Sequence, residues 1–240
     1  MTVTWEESGW ERVAAGVGRC RLPVWDCTAG LVVGADGVLL VDAGSSLAEG
    51  VRLRTEAQAL AGHRVTHLAL THPHFDHVLG AAAFAGAEVF GAVGLDTALA
   101  HGRGELRADA VRHGLDPRAA EEAVDALIRP RHLVSGERTL DLGGGRQVLL
   151  ANVGPGHTAH DLVALVPGEP EVVFCGDLVE ESGEPQAGPD AAPSHWPAAL
   201  DRLLELGGED AAYVPGHGAV VDAAFVRAQR EALAARFGVS

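Results

Sequence analysis

Apolar and polar positions along this chain switch between two periods. Leu31-Val32-Val33 and Val38-Leu39-Leu40-Val41 are short apolar runs flanking Ala35-Asp36-Gly37, and an Asp-Gly step between such runs predicts a β-hairpin. From Ala48 to Ala61 the period lengthens. Leu53, Ala57 and Leu60 fall on one side and Arg52, Arg54 and Glu56 on the other, the spacing of an amphipathic helix. Val65 to Leu70 reads as a strand, Val78 to Phe84 as a short helix and Glu88 to Val93 as another strand. Between Leu95 and Ile128 the pattern turns polar and helical, and Asp116-Pro117 has the form of an N-cap followed by a first-turn proline. By position that segment is either an insertion over a site or a solvated helical pair. Strands are then expected at Gln147–Asn152, Leu162–Val166, Val172–Cys175 and Ala211–Val214, with helices at Trp196–Leu206 and Phe225–Phe237. No low-complexity linker or short repeat divides the chain. The expectation is one domain over residues 1–240, with a helical insertion at 95–130.

The strand ends carry the chemistry. Val65–Leu70 runs into Thr71-His72-Pro73-His74-Phe75-Asp76-His77, which places four potential ligands within six residues. Three later runs end at Gly156-His157, Gly176-Asp177 and Gly216-His217. The two imidazoles of His72-x-His74 leave one tight turn and can reach one ion. Asp76 and His77 leave it in another direction and can serve a second. His157 would complete a three-histidine set with His72 and His74, and His217 would complete the other with Asp76 and His77. Asp177, with two oxygens, could bridge both. Imidazole and carboxylate suit zinc, iron, manganese or cobalt, and no cysteine sits in the cluster to demand a soft metal. A lone histidine after a strand is usually an ordinary surface or core residue; the ordered set is what carries the reading.

Composition removes several alternatives. The net charge of −15 disfavours nucleic acid, whose phosphates need a basic footprint. All 18 basic residues are arginine, so Schiff-base and P-loop chemistry, which need lysine, are excluded. Three cysteines, Cys20, Cys27 and Cys175, form no CxxC pair, and a reducing compartment fits them. No stretch is long and apolar enough to span a bilayer. The opening Met1-Thr2-Val3-Thr4-Trp5 shows no basic segment followed by an apolar one, so a cytoplasmic location is expected.

THPHFDH, GPGH, CGD and VPGH, in that order, resemble the motifs of the metallo-β-lactamase fold hydrolases, and the resemblance runs from Val41-Asp42-Ala43-Gly44 to His217. It implies an α/β fold, a four-layer αβ/βα sandwich of two mixed β-sheets with helices on the outer faces. It also implies His72, His74 and His157 on one ion, Asp76, His77 and His217 on the other, and Asp177 between them. Asp42 and Thr71 match supporting positions beside the metal loop. The expected cofactor is a pair of divalent ions, zinc first, with iron or manganese as alternatives.

Two cations sharing a water would lower its pKa towards neutrality and yield a hydroxide able to attack an ester, lactone, thioester or amide of a small molecule. Asp76 and Asp177 are the candidate catalytic carboxylates, Asp76 as a group that could also orient the nucleophile. Departures from subfamily patterns prune the choice. The GCGR-type segment of glyoxalase II and the persulfide dioxygenases is missing after Asp177, and only 23 residues follow His217. The flavodiiron proteins carry Glu where His74 stands. Secreted β-lactamases normally have a signal peptide, and the cysteine type replaces the bridging aspartate, which together argue against an antibiotic-hydrolysing role. A mononuclear iron dioxygenase and a non-catalytic metal-binding protein are the rival readings. His160-Asp161, just beyond His157, could border the pocket, with a surface pair the preferred reading; Trp196 is read as capping a helix or filling a core, and Cys175 as buried and inert. Substrate, resident metal and oligomeric state are not legible.

Overall fold

The computed structural model describes residues 4–239. The first three residues of the N-terminal stretch read above lie outside that range. Strands β1 (Glu11–Ala14), β2 (Val17–Arg21), β3 (Thr28–Val33) and β4 (Val38–Val41) form an antiparallel meander. Helix α1 (Leu47–Ala61) then crosses to β5 (His67–Ala69), which pairs parallel with β4. The expected hairpin and amphipathic helix are both present. Ser46 caps α1 by accepting from the Glu49 amide, and Leu53 and Ala57 face inward.

The metal-loop sequence folds differently from its pattern. A helix was expected from Val78; instead α2 (Phe75–Val78) begins inside the histidine motif, and a 3-10 turn follows at Ala81–Phe84. The early start matters. It gathers Phe75, Asp76 and His77 into one buried helical turn. β6 (Glu88–Ala92) and β7 (His132–Val134) extend the parallel half, with α3 (Leu95–His101), α4 (Arg103–Arg112) and α5 (Pro117–Ala126) between them. Asp116 caps α5 as its sequence predicts, accepting from the amides of Arg118 and Ala119.

The second sheet comprises β8 (Glu137–Asp141), β9 (Gln147–Asn152), β10 (Leu162–Val166), β11 (Val172–Glu180) and β12 (Ala212–His217). Its first four strands are antiparallel, and β12 joins β11 in parallel after α6 (Trp196–Gly207). α7 (Ala223–Phe237) closes the fold. β11 does not stop at Cys175 as expected but runs on through Asp177, with register shifts between Phe174 and Gly176 and between Gly176 and Glu180. Such irregularities re-aim a side chain beside a site.

Alternation along the strands sorts the side chains into layers. In β4, Val38 and Leu40 pack towards α1 and the α3–α5 helices, while Leu39 and Val41 meet the second sheet. Phe90, Phe174, Leu150 and Val214 fill the space between the sheets, and Val173, Cys175 and Tyr213 face α6 and α7. The result is helix, sheet, sheet, helix, the four-layer sandwich with two mixed sheets of seven and five strands. No helix among the described residues is long and apolar enough to cross a membrane.

One close approach locks the metal loop to α1. A Cβ on Gly80 would overlap the Ala43 carbonyl, and one on Gly50 would overlap the Gly80 backbone. Backbone cannot move aside as a flexible side chain can, so Gly80→Ala is expected to cost about 3 kcal/mol, the upper end of ordinary overpacking. Urea denaturation of the variant checks this, and an unchanged midpoint would refute it.

Candidate metal centre

Three strand ends, the irregular middle of β11 and one helical turn bring the predicted residues together where the sheets meet. His72, His74, His157 and Asp177 form one group whose donor atoms all lie within 4.8 Å of one another; His77, Asp177 and His217 form another. Asp177 belongs to both. His74 Nδ1 is 2.9 Å from His157 Nε2, and Asp177 Oδ2 lies 3.6 Å from His72 Nε2 and 3.5 Å from His157 Nε2. The other oxygen, Oδ1, lies 3.1 Å from His77 Nε2. His217 Nε2 stands 3.3 Å from Asp76 Oδ2 and 3.4 Å from Asp177 Oδ2, and Asp76 Oδ2 is 3.6 Å from His77 Nε2. A tetrahedral ion about 2.1 Å from each donor would hold those donors about 3.4 Å apart. The spacing fits such an ion.

The outward nitrogen of every imidazole is already engaged. Asp42 accepts from the Thr71 amide at Oδ1 and from the Thr71 hydroxyl at Oδ2, both at 2.8 Å. Because that hydroxyl proton goes to Asp42, Thr71 Oγ1 must accept from His72 Nδ1, 2.9 Å away. Asp42 Oδ2 also faces His77 Nδ1 at 2.8 Å. His157 Nδ1 donates to the Gln186 carbonyl at 3.0 Å and His217 Nδ1 to the Trp25 carbonyl at 2.8 Å. His74 Nε2 faces Asp190 Oδ2 at 3.1 Å. Each ring is thereby fixed in the tautomer that leaves its inner nitrogen as a lone-pair donor, the arrangement metal-ligating histidines use. Two inner atoms, His72 Nε2 and Asp177 Oδ1, are buried with no hydrogen-bond partner, a cost of about 1–3 kcal/mol each that a cation would remove.

Electrostatics divide the cluster. Burial pushes His157 down to about 4 and, reinforced by the neighbouring His77, holds His72 well below the imidazole range. Burial acts the same way on His217, but Asp177 and Asp76 outweigh it and raise it to about 12. Against burial, Cys27 and then the carboxylates of Asp177, Asp76 and Asp42 also raise His77, and His77, His72 and His217 together hold the Asp177 carboxyl well below its usual range. Cations therefore suit the centre of this cluster. The glycine of VPGH serves the same geometry: a Cβ on Gly216 would overlap the Asp177 carboxylate.

Four features escaped the sequence. Cys27 has a partner after all: its Sγ lies 3.1 Å from the Asp76 carbonyl and 3.8 Å from His77 Nε2, so a cysteine does border the cluster. Burial raises its thiol to about 12, which keeps it a neutral donor. Asp161 is not a surface residue. It is buried and accepts from the amides of Gly156 and Thr158 and from the Thr158 hydroxyl, clasping the turn that carries His157. His160, half-buried beside it, faces the Val93 carbonyl. Asp190 and the Gln186 carbonyl come from a loop without periodicity. The α3–α5 segment packs on the outer face of the first sheet, and His113, after α4, stacks on Phe75 of the metal loop at 5.4 Å. Trp196 is fully buried and donates to the Leu178 carbonyl, as a core residue should, and Cys175 is buried with its thiol raised by burial.

The family model described as the metallo-beta-lactamase superfamily matches residues 22–217 of this chain. The chain belongs to the metallo-β-lactamase superfamily. Among solved members, the metallo-β-lactamase FIM-1 from Pseudomonas aeruginosa, determined in its mono-zinc form, is similar at 19% identity and a TM-score of 0.72 over 96% of each chain. The metallo-β-lactamase from Pontibacter korlensis has 21% identity and a TM-score of 0.71, covering 93% of this chain and 97% of its own. That from Erythrobacter litoralis, with β-mercaptoethanol in its active site, has 16% identity and a TM-score of 0.70 over 95% and 96%. At these identities the likeness is one of fold.

Proposed function

We propose that this superfamily member is a metal-dependent hydrolase of small molecules bearing an ester, lactone, thioester or amide bond. His72, His74 and His157 would hold one divalent ion, Asp76, His77 and His217 a second, and Asp177 both. The observation that carries the reading is the pair of orphaned inner atoms, His72 Nε2 and Asp177 Oδ1, set among imidazoles whose outer nitrogens are all engaged. Zinc is the first candidate. A bound pair supplies Lewis acidity and a water of near-neutral pKa. The chain's part is to hold its donors rigid and correctly protonated. Asp42 does this for His72, through Thr71, and for His77 directly. Asp76 turns one oxygen to His77 and His217, leaving the other to orient an attacking nucleophile. The net charge of −15 favours neutral or cationic substrates over polyanions.

Metal analysis combined with chromogenic ester, lactone, thioester and cephalosporin substrates tests the assignment. About two ions per chain with turnover of one bond class supports it; one iron with oxygen uptake, or no turnover at all, overturns it. The role of Asp42 has its own check. Asp42→Asn keeps the shape but introduces an amide donor facing His77 Nδ1, so affinity at the second ion should fall about 10–100-fold. Chelator competition measures this, and unchanged affinity would remove Asp42 from the supporting set.

A further inference from the structure

Within that two-ion reading, we propose that Asp190 is a positioning residue for the first ion, and that through it residues 185–192 are fastened to the site. His74 is the most exposed of the five imidazoles, at 27% against 13% for His217 and 3% or less for the other three. Buried groups or backbone carbonyls hold the outer nitrogens of those four. His74 alone depends on the side chain of an external loop, with Asp190 Oδ2 at 3.1 Å from Nε2 and Nδ1 turned inward towards His157. Without that carboxylate, water would meet either ring nitrogen equally well, and nothing would select the orientation that points Nδ1 at the ion.

The same stretch of loop touches a second ligand of the same ion. The Gln186 carbonyl accepts from His157 Nδ1 at 3.0 Å, and the Ala192 amide donates to the Gly156 carbonyl at 2.9 Å. At its other edge Arg236, in α7, donates to the Pro185 carbonyl at 2.9 Å. Asp42 and Trp25, by contrast, hold the outer nitrogens of the second group. Residues 185–192 thus form a strap over one ion and not the other. Linkage requires the effect to be mutual: a strap that orients two ligands raises affinity for that ion, and the ion in turn orders the strap.

The test uses the full chain loaded with Zn²⁺ or Co²⁺ and the variants Asp190→Ala, Asp190→Asn and Asp190→Glu. Chelator competition should show two binding steps, with only the first-ion step weakened, about 10–100-fold in Asp190→Ala, less in Asp190→Asn and partly restored in Asp190→Glu. In the Co²⁺ protein, one of five hyperfine-shifted imidazole N–H signals should be lost to solvent exchange in Asp190→Ala. Amides of residues 185–192 should gain exchange protection on metal loading in the parent and not in that variant. If the parent binds two ions and Asp190→Ala keeps both affinities and all five N–H signals, Asp190 has no such role. If the parent binds no ion, the two-ion reading itself falls.

Discussion

Asp177→Ala is expected to lose one ion per chain and at least about 10³-fold in kcat/KM, or about 4 kcal/mol of transition-state stabilisation. No other carboxylate belongs to both donor groups, since its Oδ2 faces His72, His157 and His217 while Oδ1 faces His77. Losing it does more than delete one ligand. It leaves four imidazoles converging on a point from which their shared counter-charge is gone. Metal content by mass spectrometry and turnover of the substrate found in the panel give the two readouts. Asp201→Asn, which weakens a half-buried pair with Arg230 on α6 and α7, is the control for general damage. A variant that keeps two ions and parental turnover would defeat the bridging assignment.

Chelation should have the second large effect, on stability. A ligand held at about 1,000 times its Kd adds about 4 kcal/mol, and a chain of this size shifts by about 2–4 °C per kcal/mol. Stripping one ion should therefore lower the unfolding midpoint by about 8–16 °C. The loss is bounded because the cluster retains its own contacts, such as His217 with Asp76 at 3.3 Å. Thermal denaturation with chelator, then with zinc restored, measures it. A midpoint indifferent to both treatments would mean that these donors hold no metal.

Much of this site was legible because the motifs are local. The four potential ligands of the first motif sit within six residues, and each later ligand follows an apolar run that is a strand in the structure. The helices from Leu47, Trp196 and Ala223 were legible from their period. What was not legible depends on chain separation. Asp190 meets His74 across 116 positions and Cys27 meets His77 across 50, contacts set by how the layers stack. β8 was missed because its Glu-Arg-Thr-Leu-Asp sequence buries only Leu140 and leaves no alternation to announce a strand. Asp161 was misjudged because an aspartate beside a histidine looks solvated until its turn closes upon it.

Both sheets are assembled in strict chain order, β1 to β7 and then β8 to β12, each strand lying beside its predecessor. A ribosome releasing this chain would deliver the whole first sheet, with four of the seven donors, before the second sheet begins. Neighbour-to-neighbour pairing forms early and cheaply in loop entropy, whereas the seam between the sheets needs distant segments to meet. The donor groups straddle that seam. On the proposed two-ion reading, loading would follow synthesis, and metal supply would set how much finished protein becomes active.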